Sequence, residues 1–348
     1  MWPDTRLCRL LGIEHPIILA PMAGTTTPAM VAAVSNGGGL GSHGCATMPL
    51  DRLEQDVEVL ARSTNQPVNL NFFCHTPPEI TRVQHEAVLK ALAPFYAEAG
   101  IAPPEGVPKA PYAPFGQAHL EALLAHPPAV VSFHFGLPEK DAVAALKDRG
   151  CRVISSATTV AEARWLEARG VDAVIAQGWE AGGHRGVFLE PEHDAQVGLF
   201  SLLPQVADVV RVPVIAAGGI ADGRGIAAAF KLGAAGVQIG TAFISADEAT
   251  HKALHDEAVA EGADDSTRIS MAVSGRPARA HRTPWLDAMT QVGSAPFPLM
   301  YHYTAGLQAA EAEKHRFSLY GQSARLAPGG DAGARLAALV EGARRALS

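Results

Sequence analysis

The chain has 348 residues, 48% of them hydrophobic and 18% charged, which is enough apolar material for a large packed enzyme and too much for a disordered chain. A formal net charge of −7 argues against nucleic-acid binding through a basic surface, and the sequence has no apolar run of the roughly 18 residues needed to span a membrane. The four cysteines (Cys8, Cys45, Cys74, Cys151) are far apart and the first residues lack the apolar stretch of a secretory leader, so a cytoplasmic protein with free thiols is expected.

Short apolar runs alternate with amphipathic ones. Ile17–Met22 reads as a strand and Pro28–Asn36 as a helix with proline in its first turn. Leu40–Gly44 reads as the second strand, Leu50–Ser63 as a helix and Pro67–Phe73 as the third strand. The period then breaks over residues 74–128, where helical stretches near 79–99 and 117–126 flank a proline-rich run; this is an expected insertion over one end of the fold. Strands at Ala129–Phe135, Cys151–Ala157, Asp172–Gln177, Pro213–Ala217 and Gly236–Ile239 follow, with helices at Glu139–Arg149, Val160–Arg169, 200–210, Gly223–Leu232 and Ala246–Ala260. Eight apolar strands, each followed by helix, favour a closed (β/α)8 TIM barrel over residues 1–261. Residues 262–348 form a C-terminal extension expected to pack on the barrel and contribute to its pocket.

Gly39-Leu-Gly41-Ser-His-Gly44 matches the dinucleotide pattern G-x-G-x-x-G, but a helix precedes it and the segment itself reads as the strand. It is better read as a helix end running into a tight strand. Two other glycine turns sit where a barrel binds phosphate, after strands seven and eight: Gly218-Gly219 and Gly240-Thr241. Glycine lets backbone N–H groups approach an anion, and the threonine adds a hydroxyl.

Strand ends in a barrel point polar residues at the mouth. Asn71, His134 and Gln177 occupy such positions, and the loop after strand six reads Glu180-Ala-Gly182-Gly183-His184-Arg185-Gly186. Amide side chains suit the alternating donors and acceptors of a flavin ring, and a histidine on a glycine loop can move a proton near neutral pH. A core role for His134 and an Arg185–Glu180 pair are the plainer alternatives. No lysine ends a strand to form a Schiff base, and no G-x-S-x-G elbow or metal-ligand pattern is evident.

Ala20-Pro-Met22-Ala-Gly24, Asn71-Phe-Phe73, His134-Phe-Gly136, Gly178-Trp-Glu-Ala-Gly-Gly-His-Arg-Gly186, Ala217-Gly-Gly-Ile-Ala-Asp-Gly-Arg224 and Gly236-Val-Gln-Ile-Gly-Thr-Ala-Phe243 together resemble the class I nitronate monooxygenases. The resemblance implies FMN, O2 and an alkyl nitronate or nitroalkane substrate, giving a carbonyl compound and nitrite. It implies that Met22, Asn71, Gln177, Gly182, Gly183, Gly218, Gly219, Gln238, Gly240 and Thr241 hold FMN, with His184 over the flavin and His134 lining the same pocket. It also implies pocket positions for Tyr112, Tyr301 and Phe297; a homodimer and no bound metal are expected apart from it. Phe297 stands where the resemblance leads one to expect tyrosine and Ala305 where it leads one to expect lysine; the missing lysine favours a less charged nitronate, or another small acidic carbon compound, over propionate-3-nitronate. The alternatives are an NAD(P)H-dependent FMN reductase of the same superfamily and, more distantly, a flavin-free barrel binding a phosphorylated metabolite.

Overall fold

A computed structural model describes residues 2–190, 195–310 and 317–348. Eight parallel strands form the barrel: β1 (Ile17–Leu19), β2 (Gly41–Gly44), β3 (Val68–Phe73), β4 (Val130–His134), β5 (Arg152–Ala157), β6 (Ala173–Gln177), β7 (Val214–Ala217) and β8 (Gly236–Ile239). Each pairs with its neighbour in chain order, β8 returns to β1, and a bridge between Ile18 and Leu40 closes the ring from β1 to β2. The strands are buried on both faces, as their unbroken apolar runs require. Ile18, Leu40, Ile154, Ile175 and Ile215 fill the lower interior, where Leu7 and Leu11 of the Arg6–Leu11 helix plug the bottom.

β1 ends three residues earlier than the sequence reading, at Leu19. Pro21 has no N–H to continue the ladder, so the chain turns away there and carries Met22 across the barrel mouth. The G-x-G-x-x-G glycines are packing residues. A Cβ on Gly41 would lie 2.0 Å from the Val31 carbonyl oxygen and one on Gly44 2.5 Å from the Ala23 nitrogen.

The eighth helix also departs from the sequence reading. Ala246–His251 is not helical, and a helix forms only over Lys252–Glu261. The buried guanidinium of Arg335 donates to the carbonyls of Ala242 and Ser245, so these groups satisfy a side chain from the far end of the chain. Arg335 belongs to the last helix, Ala332–Leu347, which packs against the Gly223–Lys231 and Pro28–Asn36 helices and so takes the open place in the helical ring. Gly223 and Gly342 meet there with no room for a Cβ on Gly223.

Over the barrel mouth, the insertion and the extension share a second core. Leu92 and Tyr96 of the Arg82–Ala99 helix pack with Trp285, Leu286, Met300 and Tyr303 of the extension. The Tyr96 hydroxyl donates to the Tyr303 carbonyl at 2.7 Å. No helix among the described residues is long and apolar enough to cross a membrane.

Candidate active site

A cavity of about 280 Å³ opens at the C-terminal ends of the strands. Fourteen of the fifteen site residues named from the sequence line it: Met22, Asn71, Tyr112, His134, Gln177, Gly182, Gly183, His184, Gly218, Gly219, Gln238, Gly240, Thr241 and Tyr301. Phe297 does not. It is buried one layer back, with its ring 5.4 Å from that of His184 and 6.2 Å from that of Tyr112. Ala305 is exposed on the Met300–Ala310 helix and is not part of the cavity wall.

At one end the wall is backbone. Gly218 and Gly219 follow β7 with φ of +97° and +71°, a conformation that glycine adopts without strain. Beyond them Asp222 caps the Gly223–Lys231 helix by accepting from the Arg224 and Gly225 N–H groups. The Thr241 hydroxyl accepts the Gly321 N–H at 2.9 Å, which leaves its own proton free to donate. Sequence reasoning missed this tail segment of Tyr320–Ser323. It crosses so close to the loop after β6 that a Cβ on Gly182 would lie 2.5 Å from the Gly321 nitrogen, and it brings Ser323 to the cavity wall.

Toward the middle, Asn71 donates through Nδ2 to Ser132, and its Oδ1 makes no hydrogen bond. Gln238 Oε1 is buried without a partner, as is the Tyr112 hydroxyl. Buried polar atoms of this kind are costly unless something meets them, and both residues line the cavity. Gln177 lines the cavity and its amide is engaged with the protein. Its Nε2 donates to the His184 carbonyl at 3.0 Å and its Oε1 accepts the Gly186 N–H at 2.7 Å, so the amide clamps the loop after β6.

His134 is engaged in the same way. Its Nε2 donates to the His184 carbonyl at 3.2 Å, which fixes the tautomer, and its Nδ1 takes the Ser156 hydroxyl at 3.0 Å. It positions the His184 loop and has no free nitrogen for acid–base work. Arg185 is fully buried and donates to the Gln177 and Gly178 carbonyls, while Glu180 caps the Leu199–Ala207 helix, so the two do not form the ion pair suggested by their spacing.

His184 lies among the rings of Phe73, Phe135 and Phe297. Burial, reinforced by His134, Arg276 and His75, pulls its pKa down to about 3. It is therefore neutral at pH 7 and a weak base. Its Nε2 lies 2.8 Å from the Ser274 hydroxyl, which itself accepts the Arg276 N–H at 3.4 Å. In the tautomer where the serine donates to Nε2, the imidazole keeps its proton on Nδ1 as the group His184 can offer a ligand. Phe135 is held at φ +67°, an uncommon conformation for a bulky residue, where its ring packs against His184.

The wall chemistry fits a flavin mononucleotide: a glycine cradle and two hydroxyls for the phosphate, and the unpaired Gln238 amide oxygen for the ring N–H. Comparison with known proteins shows the family. The nitronate monooxygenase family model matches residues 4–327. A nitronate monooxygenase of Pseudomonas aeruginosa is 43% identical over 346 residues, covering 97% of this chain and 98% of that protein. One from Paraburkholderia phytofirmans is 42% identical over 334 residues, covering 92% and 90%. Among solved structures, nitroalkane oxidase from Streptomyces ansochromogenes superposes with a TM-score of 0.87 at 36% identity, covering 98% of each chain. FabK from Thermotoga maritima gives 0.74 at 29% identity, covering 99% of this chain and 97% of that one. The chain belongs to the nitronate monooxygenase family and is a flavin-dependent oxidoreductase.

Proposed function

We propose that the protein binds FMN and oxidises alkyl nitronates with O2 to carbonyl compounds and nitrite. The observation that carries this reading is His184, held neutral with Nδ1–H available in an aromatic pocket beside the barrel mouth. A neutral donor suits an oxyanion that arrives already deprotonated. A pKa of about 3 makes His184 a poor base for drawing a proton from a neutral nitroalkane, so the nitronate is the favoured substrate form.

Gly218, Gly219, Gly240 and Thr241, with Ser323 from the tail, would hold the phosphate of FMN, and Asn71 and Gln238 would meet its ring. Bound there, FMN supplies the redox chemistry, taking electrons from the substrate on their way to O2. The chain's own residues do the rest. Gln177 and His134 fix the loop, His184 orients the anion through Nδ1–H, and Tyr112 and Tyr301 close the pocket against water.

Purified protein should show a flavin absorption spectrum and release nitrite from ethyl nitronate in air. Rapid anaerobic bleaching by NADH without nitronate turnover would instead favour the reductase activity that the FabK likeness allows. His184→Asn should cut kcat/KM for the nitronate by about 100-fold, the usual loss for one donor to a reacting anion. Full activity in that variant would remove His184 from the mechanism.

A further inference from the structure

None of the described residues lining the cavity carries a charged side chain, yet the proposed substrate is an anion. A buried cation stands behind the pocket, beyond the rings of Phe135 and Phe297. Arg276 places its guanidinium carbon 4.3 Å from the Phe135 ring centre and 5.6 Å from that of Phe297, and both rings pack against His184. Its Nη1 donates to the Val187 carbonyl at 2.9 Å, and it forms no ion pair among the described residues. The carboxylate whose charge reaches it is Glu162, whose oxygens are engaged by Thr158, Phe188 and Leu189. Burial lowers the guanidinium pKa to about 10, so Arg276 remains charged at neutral pH.

The chain conformation fixes this cation in place. Gly275 has φ +98°, and a Cβ there would lie 2.2 Å from the Ala295 carbonyl oxygen, so the Ser274-Gly275-Arg276 turn accepts no other residue at its centre. The same turn supplies the Ser274 hydroxyl to His184.

We infer that Arg276 is the specificity-determining charge of the site, attracting the nitronate anion through the two phenyl rings while Nδ1–H of His184 orients it. The inference rests on the nitronate reading above. Across rings rather than water the field of a fixed charge is weakly screened, so an anion in the cavity is favoured over its neutral parent. Arg276 does not touch the substrate, and its effect is electrostatic.

The test uses the FMN-loaded enzyme with Arg276→Met, which keeps much of the side chain's bulk, and Arg276→Lys, which keeps the charge. KM for ethyl nitronate should rise about tenfold or more in Arg276→Met with kcat little changed, and KM for neutral nitroethane should not follow it. Arg276→Lys should stay within a few-fold of wild type for both. Equal changes for anion and neutral compound, or no change for the anion, would overturn the inference. Calorimetric titration with nitrate, a planar oxyanion, reads the same charge without turnover, and weaker binding to Arg276→Met than to Arg276→Lys is expected. Equal nitrate affinity in both would again overturn the role of Arg276. Wild-type enzyme that releases no nitrite from ethyl nitronate would instead refute the nitronate reading, with the nitrate titration still deciding the role of the charge.

Discussion

The β7–β8 end of the cavity is made of backbone: Gly218, Gly219 and Gly240, all within one short stretch of chain, with a threonine beside them. The opposite end is made of side chains from five separate places. Phe73 comes from β3, His134 from β4, His184 from the loop after β6, and Tyr112 and Tyr301 from the insertion and the extension. The first end has no titratable side chain to adjust. The second has three histidines, His75, His134 and His184, whose pKa values all fall to about 3 or 4 through burial. A phosphate needs N–H groups that a strand end supplies wherever glycine permits. Substrate recognition needs a particular arrangement of donors and rings, which here requires the whole fold to be in place.

Breaking the backbone end should have the largest effect. Gly218→Val puts a β-branched residue at φ +97° and a Cβ 3.0 Å from the Ala181 backbone nitrogen. The purified variant should be colourless, with flavin affinity down by at least about 100-fold and activity lost with it. Retention of a yellow protein with ordinary FMN affinity would show that the phosphate sits elsewhere.

The difference between the two ends also explains what the sequence made legible. Gly218-Gly219 and Gly240-Thr241 are readable because their meaning is local: a strand, a turn and a helix start adjacent in the chain. The locations of Asn71, His134 and Gln177 follow from strand periodicity, but their bonding does not. Nothing in the strand pattern shows the Gln177 amide bridging His184 and Gly186. Ser274 and Arg276 gave no signal, since the serine acts on a histidine 90 residues away in sequence. The end of the barrel was misread for a related reason. A local pattern suggests helix over 246–260, and nothing local reveals that Ala332–Leu347 fills the gap in the ring.

Acid should separate the two ends next. A histidine held neutral in the fold but free to protonate when unfolded makes the unfolded chain bind more protons below pH 6.5. For His75, His134 and His184, stability is therefore full above about pH 6.5 and declines as pH falls toward 4. Each tenfold in the proton equilibrium is worth about 1.4 kcal/mol, so the melting temperature should drop by several degrees over that interval even after a large discount for solvent screening. His134→Asn should flatten the decline. A melting temperature independent of pH between 6.5 and 4 would mean that these rings are not held neutral.

The smallest change falls on one bond at the side-chain end. Ser274→Ala leaves His184 Nε2 without its hydroxyl partner while leaving the glycine cradle untouched. One neutral hydrogen bond is worth about 1 kcal/mol, so kcat/KM for a nitronate should fall about fivefold. FMN affinity should not move, because none of the backbone-end contacts passes through Ser274. The more telling readout is the imidazole itself. With no serine proton on Nε2, nitrogen-resolved NMR of His184 should show the Nδ1–H tautomer giving way to a mixture. If rate and tautomer both held, the donor that orients the substrate would owe nothing to the C-terminal extension, and the side-chain end would be simpler than its five contributing segments suggest.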